Sequence, residues 1–578
     1  MIDVKCKAAL TAGLQPMGRM MQRQMALVAG CLLLGSAVLW VVVSSSGVGS
    51  AGAVAPAPTS GPALATWTAT DLVPGSCAGD VFVRHELALT TRASDAPARL
   101  FDSNGSGVAA DDLDGDGLAD IVLGNLEGPN TILWNEGDWT FTAEQMNDRS
   151  TRTVQLVDID ADGRLDIVTT HRGAGVAAFR NLGDRSFKQV LVRGVNNPAY
   201  SMAWGDLDLD GDLDLVTGSY DAELDQQLRS TFLFSDGAGV FQYLDTGDSF
   251  EAERLTEDSQ ALVTALLDLD QDGLLDVMVG NDFAMHDMTW SNQGSGSLVP
   301  IEPFNRIAAH TMSIDAGDID ADGVDEIFAT DMKPASTSLA VISEWLPLMA
   351  TMDDLDNPAD TQRIRNVLQV NQGDGTFKES GERAGLDSAG WAWSARFGDL
   401  DNDADLDLYV VNGMIAAETF AYLDGAEIVE PNITFVNHGD GTFGMESWGL
   451  DALESGRGSV LVDLDNDGRL DIVVNNLDSP AVAFENRKCG GAAIEFALRQ
   501  PDTDNTHAIG ATVTIVTGDQ HLVRTVRSGG GYLSGTPTTL HIGLGDRTTE
   551  YVEIRWPDGA TTTIDAPTSN TLYEVTRT

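Results

Sequence analysis

Short apolar runs, each placed just after an acidic turn, set the rhythm of this chain. They read Ile121-Val122-Leu123, Ile167-Val168, Leu215-Val216, Val277-Met278-Val279, Ile327-Phe328, Leu408-Tyr409-Val410-Val411 and Ile472-Val473-Val474. Runs this short and this rich in β-branched residues predict strands rather than helices. Gly-Asp turns recur between them, at Gly137-Asp138 after Thr131–Asn135 and again within 371–377 and 437–443. A turn of this type between alternating apolar stretches predicts a hairpin. Each repeat is therefore expected to run as loop, strand, second strand, hairpin and outer strand. Two stretches differ. The insertion at 333–361 places Leu339, Val341, Ile342, Trp345, Leu346, Leu348 and Met349 at helical spacing, which predicts a helix packed on the rim of the body or a projection for a partner. Trp391 and Trp393 fall on one face of a strand, where they are expected to pack between sheets or to form a ligand platform.

The turns themselves carry the candidate chemistry. Asp112, Asp114, Asp116 and Asp120 stand at positions 1, 3, 5 and 9 of a loop whose sixth residue is Gly117. The pattern returns as Asp158, Asp160, Asp162 and Asp166, as Asp206, Asp208, Asp210 and Asp214, and as Asp268, Asp270, Asp272 and Asp276. It returns again as Asp318, Asp320, Asp322 and Glu326, as Asp399, Asp401, Asp403 and Asp407, and as Asp463, Asp465, Asp467 and Asp471. A hard divalent cation such as Ca²⁺ takes six to eight oxygens, and alternate carboxylates on a tight turn supply them. Without a cation, two carboxylates ~4 Å apart repel by roughly 4 kcal/mol at an effective dielectric near 20. Up to seven structural Ca²⁺ ions are therefore expected, against the alternative of solvated acidic turns. An EF-hand shares the start of the motif but requires a Glu at position 12 and a following helix. Position 12 here is Leu123, Thr169, Thr217, Val279, Ala329, Val410 or Val474, and a strand signal follows. In the sixth loop Ala404 replaces the usual Gly, where backbone strain is expected to make this the weakest site.

Composition sharpens the reading. The 578 residues hold 88 Asp+Glu against 34 Lys+Arg, a formal net charge of −54, with 43% hydrophobic residues. The apolar content is that of a folded protein, so the acidity does not mark disorder. The charge argues against nucleic acid and an anionic bilayer surface as partners and for bound cations.

The amino end is a basic stretch at 1–24, expected to be cytoplasmic, followed by an uncharged apolar run at 25–43. This is a signal anchor or a cleaved signal peptide, the latter with cleavage near Ala51-Gly52-Ala53. Val28-Ala29-Gly30-Cys31 has the look of a lipidation site, but the apolar run continues past Cys31. Residues 44–67 are a Ser/Gly/Ala/Pro linker. It contains a formal G-x-G-x-x-G match, Gly47 to Gly52, without the strand and helix a dinucleotide site requires.

Loop starts are separated by 46, 48, 62, 50, 81 and 64 residues. The shorter intervals fit one four-stranded blade of a propeller. Sheets of this kind bury both faces when stacked radially. The acidic loops, the N-x-G-D-G-T-F hairpins at 371–377 and 437–443, and the order Arg365–Phe377, Gly390–Trp393, Phe397–Asp403 resemble the cartilage acidic protein-like (ASPIC/UnbV) family with FG-GAP/VCBS repeats, whose blades are those of integrin α-type propellers. The resemblance spans about 80–578. It implies an all-β chain with a seven-bladed, calcium-binding β-propeller over 68–487, a small C-terminal β-sandwich, the ASPIC/UnbV domain, over 488–578, and export from the cell.

In the tail, Thr512–Val516 and Val523–Val526 flank a Gly518-Asp519 turn, and Val552, Ile554 and Trp556 alternate with polar residues before Pro557-Asp558-Gly559. Both are half-buried antiparallel sheet signals. Arg524, Arg527, Arg547 and Arg555 concentrate here, so the tail is expected to contact the acidic body. Four cysteines exclude a disulfide-dense scaffold. Cys77 precedes the first acidic loop and Cys489 follows the last blade, and ring closure would bring them together as a disulfide; the alternative is two unrelated thiols.

No zinc, P-loop or metalloprotease motif occurs, and the eight histidines are dispersed. His286, between Asp282 and Asp287, is the nearest approach to a catalytic group. The chain is thus expected to act as an exported interaction module for a protein or glycan, anchored by one helix or secreted. The alternative is an exported, polysaccharide-active enzyme, which requires a pocket where His, Tyr and Arg converge. A purely structural spacer has no distinguishing sequence feature.

Overall fold

The computed structural model describes residues 61–73, 75, 77, 82–92, 103–222, 238–283, 285–352, 360–414, 428–518 and 520–578. The expected signal or anchor at 25–43 lies outside them. Among the described residues no helix is long and apolar enough to cross a membrane.

The chain is all-β and propeller-like. Seven sheets each carry one acidic loop between their first and second strands. In the first sheet Val108–Asp111 pairs with Asp120–Leu123, then Pro129–Asn135, then Phe141–Arg149. The first strands of the later sheets are Thr151–Val157, Ser201–Gly205, Ala261–Leu267, Ile314–Gly317, Gly390–Gly398 and Ser455–Val462. The first two strands of each sheet are buried along almost their whole length, because both faces of the sheet are covered. Each first strand packs against its successor, and Ser455–Val462 packs against Val108–Asp111. The seventh sheet takes its outermost strand, Phe82–Thr90, from before the first, in register with Pro480–Asn486. Cys77 and Cys489 form the expected disulfide beside this junction, with Cα atoms 5.0 Å apart.

The tail is a pair of four-stranded sheets. Thr512–Thr517 lies between Gln520–Thr525 and Tyr551–Arg555, which pairs with Thr561–Asp565. The other sheet is Ala492–Arg499 between Thr539–Gly545 and Thr571–Arg577. Its last strand is Ala65–Asp71, which pairs with Thr571–Arg577. The segment straddling the expected linker boundary is thus part of the tail sheet.

From the tail a glycine-rich tongue, Ser528-Gly529-Gly530-Gly531-Tyr532-Leu533-Ser534, enters among the first strands of the ring. Trp204 N donates to Ser528 Oγ (2.9 Å), Gly531 N to Ile314 O (3.0 Å), Tyr532 N to Ser394 Oγ (3.2 Å), Val154 N to Leu533 O (3.2 Å) and Val108 N to Ser534 Oγ (3.3 Å). The tongue is therefore hydrogen-bonded to the first, second, third, fifth and sixth sheets. A Cβ on Gly530 would lie 2.1 Å from Arg396 Nη1, so a larger residue there would displace that guanidinium. Tyr532 is fully buried, its ring 4.9 Å from that of Trp393 and its hydroxyl 2.9 Å from that of Tyr200.

The expected helix spans Leu339–Met352 (α1) and joins the second and third strands of the fifth sheet. Because strands alternate in direction, this connection lies at the opposite end of the sheet from the acidic loop. Trp345 and Leu348 are buried in a cluster with Trp391, and Trp345 Nε1 donates to Glu430 Oε1 (3.1 Å). Trp391 and Trp393 pack against α1 and the tongue, rather than between neighbouring sheets alone. Leu339, Leu346 and Met349 remain exposed.

Candidate metal sites

Each acidic loop is built by its own backbone. The first carboxylate accepts the N–H of the sixth residue: Gly117 to Asp112 (3.0 Å), Gly163 to Asp158 (2.8 Å), Ala404 to Asp399 (2.8 Å), Gly468 to Asp463 (2.6 Å). The ninth carboxylate accepts the N–H of the second residue, as Leu113 to Asp120 (3.2 Å) and Leu207 to Asp214 (2.8 Å). These bonds fold the loop so that its carboxylates converge. Oxygens of Asp112, Asp114 and Asp120 lie within 4.8 Å of one another, as do those of Asp158, Asp160 and Asp166, of Asp206, Asp208 and Asp210, of Asp268, Asp270 and Asp272, and of Asp318, Asp320 and Glu326. The longer Glu326 accepts Ile319 N (3.2 Å) just as the aspartates do.

The sixth residue is left-handed throughout, with φ from 81° to 97°, Ala404 included at 81°. The fourth residue is left-handed as well, at Ala161, Leu209, Gln271, Ala321, Asn402 and Asn466. Sequence gave no sign of this second constraint, since only Gly115 is a glycine there.

The donor set fits a hard cation. Asp206 Oδ1, Asp268 Oδ1, Asp401 Oδ1 and Asp465 Oδ1 are buried with no hydrogen-bond donor. A buried acceptor without a donor is costly unless an ion or water meets it. Burial pushes Asp120, Asp166 and Asp276 up to about 7, and Asp214 and Glu326 up to about 9, with neighbouring carboxylates adding to the effect. Side-chain cations take up some of the charge: Arg185 Nε lies 2.6 Å from Asp114 Oδ2 and Lys488 Nζ 2.9 Å from Asp401 Oδ2. Each leaves the other carboxylate oxygen for a ligand.

A ring of asparagines that the motif contained but sequence reasoning did not assign ties the loops together. Asn135 N donates to Asp120 Oδ1 (2.8 Å). Its Nδ2 donates to Ala119 O of its own loop (3.1 Å) and to Leu464 O of the seventh loop (2.8 Å). Asn181 reaches Leu113 O (2.7 Å), Asn292 reaches Leu207 O (2.8 Å), Asn371 reaches Leu269 O (3.2 Å), Asn437 reaches Ile319 O (2.8 Å) and Asn486 reaches Leu400 O (2.9 Å). In the third sheet the position is Asp245, which accepts Gly247 N and has no amide to donate.

The tail sits against this loop face, as its arginines foretold. Thr506 Oγ1 donates to Asp158 Oδ2 (2.6 Å), Asn505 N to Gly211 O (2.9 Å), Gly545 N to Asn402 O (2.9 Å) and Thr538 N to Asp111 Oδ2 (2.6 Å). Arg527 pairs with Asp325, Arg547 donates to Asp403 O, and Arg555 Nη1 lies 3.8 Å from Asp268 Oδ2. His541 Nε2 lies 3.1 Å from Gly468 O. His286, the candidate catalytic histidine, is exposed and pairs only with Asp360 (3.1 Å) among the described acids. His541 and several arginines do line one chamber between tail and ring, without tyrosine.

Comparison with known proteins agrees with this layout. The FG-GAP-like repeat profile matches residues 112–169, 158–217, 268–329 and 359–410, and the ASPIC and UnbV profile matches 501–578. Cartilage acidic protein 1 of Mus musculus is 24% identical over 514 residues, 79% of this chain and 72% of that protein. The Homo sapiens protein of the same name is 30% identical over 170 residues, 28% of this chain and 24% of that one. Among solved structures, a chain in a crystal structure of BBS1N in complex with ARL6DN, soaked with lead, aligns with 69% of this chain and 98% of its own. Its TM-score is 0.37 at 9% identity, too slight a likeness to bear on the argument. With repeats in the body, the matching module behind them and distant homology to cartilage acidic protein 1 over most of its length, the chain is similar to FG-GAP-repeat proteins that carry an ASPIC and UnbV domain.

Proposed function

We propose that this protein is an exported, calcium-stabilised, seven-bladed propeller that acts as a non-enzymatic extracellular interaction module for a protein or glycan. Its binding surface is the face remote from the acidic loops. The observation that carries the reading is the seating of the tail: the loop face is already occupied by contacts from 505 to 555. The far face presents α1, with Leu339, Leu346 and Met349 exposed. The ions have a structural role. Each neutralises a cluster of carboxylates and fixes the turn between the first two strands of a blade, stabilising the folded state by mass action. FG-GAP-like repeats and homology to cartilage acidic protein 1 support the extracellular interaction role.

The test compares the two faces. Binding to an array of glycans and extracellular protein domains is measured for the wild type, for Leu339→Ser/Leu346→Ser/Met349→Ser, and for a variant altered at exposed tail residues such as Tyr551→Ser. Loss confined to the α1 variant, with melting unchanged, is the expected result. Loss confined to the tail variant places the binding face on the tail and sinks the proposal.

A further inference from the structure

The chamber of about 220 Å³ between ring and tail is walled by more acids than bases, with Asp111, Asp112, Asp463, Glu495 and Glu574 among them. Four of these carboxyls accept hydrogen bonds: Asp111 from Thr538 N (2.6 Å), Asp112 from Gly117 N (3.0 Å), Asp463 from Gly468 N (2.6 Å) and Glu574 from Thr68 Oγ1 (2.9 Å). Glu495 is the exception. It is 3% exposed, and no donor among the described residues meets its carboxyl. What it does meet, within hydrogen-bond reach, is the carboxyl of Asp463, with Asp467 close by.

The tail sheet puts it there. Glu495 stands opposite His541 on neighbouring antiparallel strands, and side chains so paired share one face. His541 Nε2 lies 3.1 Å from the carbonyl of Gly468, the sixth residue of the seventh loop. Two residues along, on the same face, a Cβ on Gly543 would lie 1.9 Å from Asp399 Oδ2 of the sixth loop. This face of the sheet is thus laid directly on the sixth and seventh loops, and Glu495 is the carboxyl it carries to them. We infer that Glu495 is a ligand contributed by the tail to a divalent cation at the seventh acidic loop, so that one ion joins tail to ring.

Two buried carboxyls in contact need a proton or a cation between them. Burial, and then the charge of Asp463, push Glu495 well above the ordinary carboxylate range. The state of the seventh loop favours the cation. Asp465 Oδ1 is buried with no donor, while its Oδ2 accepts Trp139 Nε1 (3.1 Å). Arg469 holds Asp467 Oδ2. The carboxyls of this loop are therefore partly engaged by protein donors, and a hard cation takes six to eight oxygens. Glu495 offers it a carboxylate that nothing else claims. The inference rests on the calcium reading of the acidic loops and extends it to a residue outside their motif.

The test uses the full chain in neutral detergent. Calcium uptake is first established by calorimetry. Terbium is then the probe, because it takes hard oxygen sites and because Trp139, bonded to Asp465, sensitises its luminescence at the seventh loop. It is titrated into the wild type, Glu495→Gln and Glu574→Gln, with Trp139→Phe to identify the signal of that loop. Lifetimes in light and heavy water count the waters on the ion. Expected are affinity at the seventh loop lowered about tenfold or more in Glu495→Gln, a further water on its terbium, and wild-type behaviour in Glu574→Gln. In chelator Glu495→Gln melts no lower than the wild type, since it removes one of two facing carboxyls. In crystals of the wild type, calcium located by anomalous scattering lies within about 2.3–2.6 Å of a Glu495 oxygen. Gln keeps the shape of Glu and can donate to Asp463, so unaltered affinity and lifetime in Glu495→Gln show a shared proton instead. That result, or an ion at the loop with Glu495 turned away, overturns the inference and leaves the calcium reading intact. An equal loss in Glu574→Gln assigns the effect to the charge of the chamber and overturns it too. A chain that takes up no calcium removes the calcium reading and the inference with it.

Discussion

Asn135 and Leu464 are separated by 329 residues, yet the Asn135 side-chain amide donates to the Leu464 carbonyl at 2.8 Å. That bond joins the first sheet to the seventh, where the chain must close upon itself. The same amide also holds Ala119 O of its own loop, so one buried side chain fixes two acidic turns at once. Asn135→Asp keeps the shape, removes both donors and sets a charge among carbonyls. It is expected to cost about 1–3 kcal/mol, the range for a buried polar group left unmet, read as a lower denaturation midpoint. The converse holds in the third sheet, where Asp245 occupies this position facing the second loop. Asp245→Asn is expected to add a bond to Ile159 O and raise stability by up to about 1 kcal/mol.

The raised carboxyls give stability a pH dependence whose sign depends on calcium. Burial pushes Asp120, Asp166 and Asp276 from 3.8 up to about 7. In chelator, the folded state then binds more protons than the unfolded one between pH 4 and 7. Stability therefore falls as pH rises through that window. With saturating calcium the carboxylates must be ionised to bind, and protons compete, so stability falls as pH drops through the same window. Melting curves in chelator and in calcium are expected to converge toward pH 5 and to diverge toward pH 8. Curves that run parallel across this range would remove the ions from the acidic turns.

Much of this fold could be read from the chain, for a physical reason. The acidic turn closes through bonds among its own residues and a strand follows directly, so Asp463 to Val474 declares both turn and element locally. Cys77 and Cys489 were legible because a ring returns its ends to one place. What escaped was set by contacts between distant segments. Nothing local to Ala65–Asp71 shows that its partner is Thr571–Arg577. The second hydrogen bond of Asn135 needs the seventh loop beside it. Nothing local to the run Gly529-Gly530-Gly531 shows that the first strands of the ring close around it.

Ala404 shows how tertiary packing offsets a local penalty. Its φ of 81° costs roughly 1–2 kcal/mol for a residue with a Cβ. On sequence alone this ranks the sixth loop weakest. The Ala404 methyl, however, is buried in the core of the tail, in the cluster that includes Ile494 and Leu544, and a buried methyl contributes about 0.8 kcal/mol. The second term offsets much of the first, leaving up to about 1 kcal/mol. Ala404→Gly is expected to change unfolding free energy by less than about 1 kcal/mol, measured by chemical denaturation in calcium. A gain well above that would mean that the strain dominates and the sixth loop is the weak one.

Tyr532 is the residue on which coupling between ring and tail turns. Its hydroxyl accepts Gly105 N (3.0 Å) and meets Tyr200 Oη, its backbone N reaches Ser394, and its ring packs on Trp393. Tyr532→Phe leaves Gly105 N–H without its acceptor, at a cost of about 1–3 kcal/mol. Tyr532→Ala also empties an aromatic-sized space, at about 3–5 kcal/mol. Because the tongue is the part of the tail that bonds to the inner strands of five sheets, its loss acts on cooperativity as well as on stability. Calorimetry is expected to show one transition for the wild type and two for Tyr532→Ala, the tail melting before the ring. A single unshifted transition in that variant would show that the arginines and backbone contacts on the loop face hold the two modules together without the tongue.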